Sequence, residues 1–294
     1  MKDSICIALG GILALALTAC GGPKTITSHF DSGELKAEWT INSAGEKHGL
    51  ETQYHVTGET KGIIKWTEGK MDSTATYYWK NGKPRKSVEY KMGVVDGKTT
   101  WYYENGNQKK LEQYKQFEGQ EAGVKVDASW EYYEDGGKKS LVNYDKGVRS
   151  GPSTTWYANG QKETELTYKS GRPNGSYVVF HESGPIFQSG SMYFGQKEGN
   201  WREYNEDGQE LMETYYVGDA LNGAFTIYYP ATGKIKALGE FRKGALHGEV
   251  VVLNGSGQIV KRQLWQFGAS QDGTNDLSWF PRDLSIQPED LLGD

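Results

Sequence analysis

The side chains of this chain that could do chemistry are two cysteines, five histidines and long rows of tryptophan and tyrosine. A thiol can serve as nucleophile, metal ligand or lipid acceptor, and an imidazole as base or ligand. An indole or phenol ring offers a flat apolar face with a polar edge, which suits stacking and cation contacts. The spacing removes most of the catalytic options. No His-Glu-x-x-His, no Gly-x-Ser-x-Gly and no phosphate-binding glycine loop with a following Lys-Ser/Thr occurs. No cofactor or metal is therefore expected, and the chain reads as not an enzyme. What remains is the aromatic rows, and the elements that hold them.

The cysteines sit at the start of the chain. Ile5 to Ala16 is an apolar run preceded by Lys2 and Asp3 and followed by Leu17-Thr18-Ala19-Cys20. Such a run is shorter than the ~20 residues that span a bilayer but suits the h-region of a signal peptide. Leu17 to Cys20 resembles a bacterial lipobox. That resemblance implies a lipoprotein signal peptide over residues 1–19, cleavage before Cys20 and a lipid on the Cys20 thiol. The other reading is an ordinary signal peptide with an incidental cysteine. If Cys20 carries lipid, the mature chain keeps no thiol for a disulfide, metal site or nucleophile. Several acyl chains on one terminus anchor stably, where one chain would be marginal. Gly21 follows the cysteine in place of an Asp, which under the enterobacterial sorting rule implies the outer membrane of a Gram-negative cell. Residues 20–24 then form a short tether.

Beyond the tether the sequence repeats. The residues preceding successive aromatic runs are Gly49, Ser73, Gly97, Asp127, Gly151, Gly175, Gly199, Gly223 and Gly248, spaced mostly by 24. Five residues after these markers stand Tyr54, Tyr78, Tyr102, Tyr132, Trp156, Phe180, Tyr204, Tyr228 and Leu253. A third series follows at seventeen or eighteen: Trp66, Tyr90, Tyr114, Tyr144, Tyr168, Met192, Tyr216, Phe241 and Trp265. Between them lie Asn81-Gly82, Asn105-Gly106, Asp135-Gly136, Asn159-Gly160 and Asp207-Gly208. Asn-Gly and Asp-Gly pairs tolerate the positive φ of a type I′ turn, so each predicts a two-residue hairpin, with a looser four-residue turn closing the unit. The histidines keep the same phase, His48 and His247 just before a marker and His55 and His181 six residues after one. A metal or catalytic set would not follow the repeat so closely.

A unit such as Gly199 to Gly218, with Trp201, Tyr204, Gly208 and Tyr216, resembles the bacterial variant of the MORN repeat. About nine units cover Gly49 to Gly268, with a degenerate one near Phe30 to Trp39. The departures are Ser73, Asp127 and Leu253, and a six-residue insertion centred on Phe117 to Gly123 that is expected to bulge from a sheet edge. The expected fold is all-β: an elongated single antiparallel meander sheet of nine to ten hairpin repeats over residues 25–273, twisted or curled. Residues 274–294 are expected to form a C-terminal cap or tail, with a helix start at Gln287-Pro288-Glu289-Asp290. With tight two-residue turns, pairing puts the marker-plus-five aromatics on one face. The marker-plus-seventeen series, with Trp79, Trp101, Tyr103, Tyr133 and Tyr157, falls on the other.

Composition agrees with a thin sheet. Leu, Ile, Val and Phe make up about 19% of the chain, well below a globular core's share, whereas 28 residues are Trp or Tyr and 39 are Gly. A net charge of −5 argues against nucleic acid as partner. The expected function is that of a lipid-anchored, non-catalytic envelope scaffold binding another envelope protein. One alternative is a glycan or peptidoglycan binder that uses exposed aromatics, and another an antitoxin or immunity-type protein. Trp79, Trp101, Tyr103, Tyr133 and Tyr157 are the candidate binding residues, large rings with little side-chain entropy to lose. The competing reading makes them a ladder that holds the sheet together.

Overall fold

The computed structural model describes residues 23–287, 290 and 292. The signal segment and Cys20 lie outside the described residues, as do Pro288 and Glu289 of the expected helix start. Every regular element among the described residues is a strand except for one 3-10 position at Asp290. The fold is the expected all-β meander, in which consecutive hairpins lie side by side. The chain divides into two compact units, residues 1–148 and 149–294.

In the first unit, Lys24–His29, Leu35–Ile41, Lys47–Tyr54, Thr60–Thr67, Ser73–Tyr78, Pro84–Lys91, Val94–Tyr102, Gln108–Lys115, Val124–Tyr132 and Lys138–Asp145 pair in sequence order, each antiparallel to the next. The second unit continues the pattern from Val148–Trp156 through Ile259–Gln266.

The turns are the reverse of the sequence expectation. At Asn81-Gly82 the loop has three residues: the Trp79 N–H donates to the Lys83 carbonyl at 2.9 Å, and the Gly82 N–H to the Trp79 carbonyl at 3.0 Å. Gly82 is left-handed at φ +77°, while Asn81 stays out of that region. This is a tight turn followed by a one-residue bulge. The cause is the Asn81 side chain, whose Oδ1 accepts the Lys83 N–H at 2.9 Å and so holds its own backbone in the ordinary turn conformation. The true two-residue turns are those expected to be loose. Met92 and Gly93 (φ +50° and +90°) close Lys91 against Val94, and Ser170 and Gly171 (+51° and +82°) close Lys169 against Arg172.

The marker glycines have a backbone reason. Tyr168 pairs with Gly151 of its own repeat and with Pro173 across the short turn. Gly97 pairs likewise with Tyr114, and Gly199 with Tyr216. The markers lie where the ladder to the preceding strand is interrupted, and they take positive φ: +127° at Gly97, +84° even at Ser73 and +57° at Asp127. Glycine recurs there chiefly because the backbone is left-handed. The separation of the two aromatic series onto opposite faces survives. Register places marker-plus-two, plus-four and plus-seventeen side chains together, and all the deeply buried residues of the first unit's strands lie on that face.

Candidate functional site

Over the later repeats of the second unit this inner face is sealed. Trp201, Met212, Tyr216, Phe225, Ile227, Phe241, Leu246, Val250 and Trp265 form an apolar cluster, and the segment after Gly273 lies on it with Trp279, Phe280, Leu284 and Ile286 buried. Trp279 stacks on Phe225, centroids 6.1 Å apart and planes 9° off parallel. The Ser285 N–H donates to Glu203 at 2.7 Å, its hydroxyl donates to the same carboxylate, and Lys261 pairs with Asp276 at 2.6 Å. Gly190 lets Trp201 lie flat, since a Cβ there would enter the indole. Lys197 lies 4.3 Å from the Trp201 ring centre and 4.9 Å from that of Tyr216. Burial holds its ammonium below the usual lysine range.

The first unit has no such cover among the described residues, and its inner face is polar. Glu51 and Glu112 are buried there beside Ala75, Val88 and Thr99. Lys47 sits between Trp39 and Trp66 (4.8 and 4.6 Å) and pairs with Glu51 at 2.6 Å, while the Trp66 indole N–H donates to Glu51 at 2.7 Å. Glu112 takes Lys125 at 2.6 Å, Lys110 at 3.0 Å and the Tyr114 hydroxyl at 2.6 Å. Burial pushes the Glu112 carboxyl up, but the bonds from Lys125, Tyr114 and Lys110 outweigh it and hold it below the usual range. These carboxylates are neutralised from within and maintain the sheet.

Trp79 and Trp101 come together at the tight-turn end of this face. With Arg85, Lys86, Lys109 and Lys110 they line an open cleft of about 510 Å³. Lys86 lies 5.0 Å from the Trp101 ring centre and Arg85 5.6 Å from that of Trp79. Lys110 is paired with Glu112 and Glu131, but Arg85, Lys86 and Lys109 have no carboxylate within ion-pairing distance among the described residues. The Trp79 indole N–H is buried without an acceptor among those residues. The insertion was expected to bulge from an edge. Its end folds back instead, with Glu121, Ala122 and Gly123 beside Trp101 and Tyr90 around a second cleft of about 310 Å³.

Tyr103, Tyr133 and Tyr157 occupy the same repeat position as Trp79, along the row of tight turns. The hydroxyls of Tyr103 and Tyr157 have work in the fold. Tyr103 donates to the Tyr132 carbonyl at 2.9 Å and Tyr157 to the Phe180 carbonyl at 2.8 Å, each in the next repeat. His181 makes the equivalent 2.9 Å contact to the Tyr204 carbonyl, which accounts for a histidine in phase with the repeat. The turn asparagines stitch the same neighbours: the Asn81 amide donates to the Glu104 carbonyl at 2.9 Å, and that of Asn105 to the Glu134 carbonyl at 2.8 Å.

Sequence reasoning missed the cations of this row. In five first-unit hairpins the residue three before the turn glycine is aromatic or histidine, and the residue three after it is basic. Four of these cations lie over the ring of their own hairpin: Lys36 on Phe30 at 5.8 Å, Arg85 on Trp79 at 5.6 Å, Lys109 on Tyr103 at 5.3 Å and Lys139 on Tyr133 at 5.6 Å. The fifth pair of positions holds His55 and Lys61. The same position in the second unit holds Glu163, Phe187, Leu211, Lys236 and Val260, so a single base, preceded by Pro230 in place of a ring, stands where the first unit has five. The signal was present in the sequence, at a fixed distance from the glycine.

Residues 71–92, 95–116 and 149–170 match the MORN repeat variant. Repeats of this type generally serve interaction with proteins or membranes, and their all-β fold is typically non-catalytic. No curated protein matches the chain. Among solved structures it is similar to a TcdB2-TccC3-Cdc42 complex, with 11% identity over 87% of this chain and 17% of that one and a TM-score of 0.16. It is similar also to a Photorhabdus luminescens Tc holotoxin pore carrying a TccC3 mutation (12% identity, 86% and 17%, TM-score 0.17). A porin-like protein from Bacteroides uniformis gives 8% identity over 87% and 91%, with a TM-score of 0.18. The chain spans 17% of the length of the first two.

Proposed function

We propose that this chain is a non-catalytic, lipid-anchored scaffold of the cell envelope that holds a glycan along the tight-turn row of its first unit. One observation carries this reading: hairpin after hairpin offers an exposed cation over a half-buried ring. A ring binds the apolar C–H face of a sugar, and a cation beside it binds the sugar's polar or charged groups. Cys20 supplies the anchor through the lipobox, and the outer membrane of a Gram-negative cell is the destination. Co-sedimentation with peptidoglycan and polysaccharides tests the binding. Wild type should sediment and Trp79→Ala with Trp101→Ala should not, with thermal unfolding within a few degrees; equal sedimentation would refute the site. For the anchor, Cys20→Ser should abolish acyl labelling and membrane partition.

The second reading is capture of an envelope protein. It is supported by the second unit, whose inner face already takes up a polypeptide segment through Trp279 and Ser285. Pull-down from solubilised membranes, with the same double variant as control, separates it from the first.

A further inference from the structure

The row of cations in the first unit is regular in a way that narrows its ligand. Lys36, Lys61, Arg85, Lys109 and Lys139 each follow a turn glycine by three residues, in successive hairpins. All five are exposed, and none has a carboxylate within ion-pairing distance among the described residues. Side-chain bonds join neighbouring turns, as from Asn81 to Glu104 and from Asn105 to Glu134, so these positions form a row. Adjacent hairpins are two strands apart, so successive cations recur every ~10 Å. The lysines that hold the sheet, Lys47 and Lys125, are by contrast already neutralised by Glu51 and Glu112.

A linear ligand must match that pitch with a negative charge and an apolar face at each step. An extended peptide rises ~3.4 Å per residue and turns its side chains to alternate sides, so acidic residues three apart would point in opposite directions. A nucleic acid strand carries a phosphate every 3.4 Å of rise, far denser than the row, and the chain as a whole is acidic at −5. Two sugar rings of an extended glycan advance by nearly the length of one hairpin step. A sugar bearing a carboxylate offers charge and C–H face on one ring, as the paired cation and aromatic demand.

We infer that the row binds an alternating glycan with one carboxylate per disaccharide, one disaccharide to each hairpin. This rests on the glycan reading of the first unit and adds its charge, its period and its number of subsites. Hyaluronan has this chemistry, as does a peptidoglycan strand stripped of its stem peptides.

The test is titration calorimetry on the full chain with hyaluronan oligosaccharides of four and ten sugars. Affinity should rise about tenfold or more from the shorter to the longer, since added subsites act within one complex. It should fall with added salt, and Arg85→Gln with Lys109→Gln should weaken the longer ligand about tenfold while leaving the melting temperature in place. Carboxyl-reduced oligosaccharide should bind as weakly as the variant. Stripped peptidoglycan strands binding more tightly than hyaluronan would identify the source within the same chemistry. Reduced and native ligands binding alike, or the variant binding as wild type, would overturn the carboxylate period; chitin oligosaccharides binding equally would then leave the broader glycan reading standing. Failure of every glycan would overturn both. Tighter binding of polyglutamate or of phosphatidylglycerol vesicles would assign the row to an acidic protein or a lipid surface instead.

Discussion

The two units are written on one repeat template and put it to opposite uses. In the later repeats of the second, from Gly199 on, the inner face is apolar, with Trp201, Phe225 and Val250 at marker-plus-two, and it is closed by Trp279 and Ile286; Ser153 still holds that position in the unit's first repeat. In the first, Ala75, Thr99 and Ser129 hold that position, the face is lined by Glu51 and Glu112, and the turn row above it is basic. Backbone pairing and most turns and stitches are the same in both, the four-residue turn from Pro230 to Gly233 excepted. A single sheet layer therefore becomes a core or an exposed surface according to a few positions per repeat, chiefly marker-plus-two and the third residue after the turn glycine.

The sharpest way to break the comparison is to uncover the second unit. Trp279→Ala removes a ring stacked on Phe225 and should cost about 4 kcal/mol. Urea unfolding should show the second unit melting early while the first unit's transition stays put; a shift of both together would mean that the units unfold as one. The converse change acts on the first unit. Glu112→Leu leaves Lys125 without its buried partner, and about 2 to 3 kcal/mol of that unit's stability should go, read as an earlier first-unit transition with the second unchanged.

Alkali should act on both units, since burial also raises Tyr114 in the first, and in the second it should act through Tyr216. Burial, followed by the nearby Glu203 charge, pushes the Tyr216 hydroxyl up to about 12, whereas an unfolded tyrosine titrates near ~10. A group raised in the folded state gives stability that is complete below the unfolded pKa and lost as pH climbs through the folded one. Stability should thus decline between about pH 10 and pH 12, and phenolate absorbance should lag behind free tyrosine. Tyr216→Phe should flatten that decline in the second unit. Smaller effects follow at the turns. Asn105→Asp removes the amide donor to the Glu134 carbonyl, for a loss of about 1 kcal/mol, measured as a lower midpoint in the first unit. Smallest of all, Glu163→Lys would set a cation beside Tyr157 and give a second-unit hairpin the first unit's pattern. It should change stability by no more than about 0.5 kcal/mol and leave the melting curve nearly unmoved.

The repeat, the strands and the two-faced distribution of the aromatics were legible because a period of 24 survives any error in turn type. The turns themselves were misread. Asn81 looks the same in sequence whether it takes a left-handed backbone or uses its Oδ1 to avoid one, and only the pairing of Tyr78 with Pro84 decides between them. Trp79 and Trp101 were legible as a pair because register alone places them on one face. Tyr103 and Tyr157 were equally conspicuous in sequence, yet their hydroxyls close on carbonyls a full repeat away, a destination no local pattern reveals. The closing segment was illegible for the opposite reason: Trp279 and Ile286 lie in a stretch without period, and their partners are set by shape.

The stitches made by Tyr103, Tyr157, Asn81, Asn105 and Asn159 run one way, donor in one repeat and acceptor in the next, between equivalent positions. Excising residues 175–198 would bring the Tyr204 carbonyl to the Tyr157 hydroxyl in place of that of Phe180, and the Glu206 carbonyl to the Asn159 amide in place of that of Glu182. The ladder and these stitches would be left matched, with Leu166 facing Trp201 where Gly190 had been, whereas losing one residue more or fewer would throw the register to the wrong face. Heritable changes in the length of this array therefore keep its register in whole steps of 24, and only the side chains that meet across the new join are left for selection to refit.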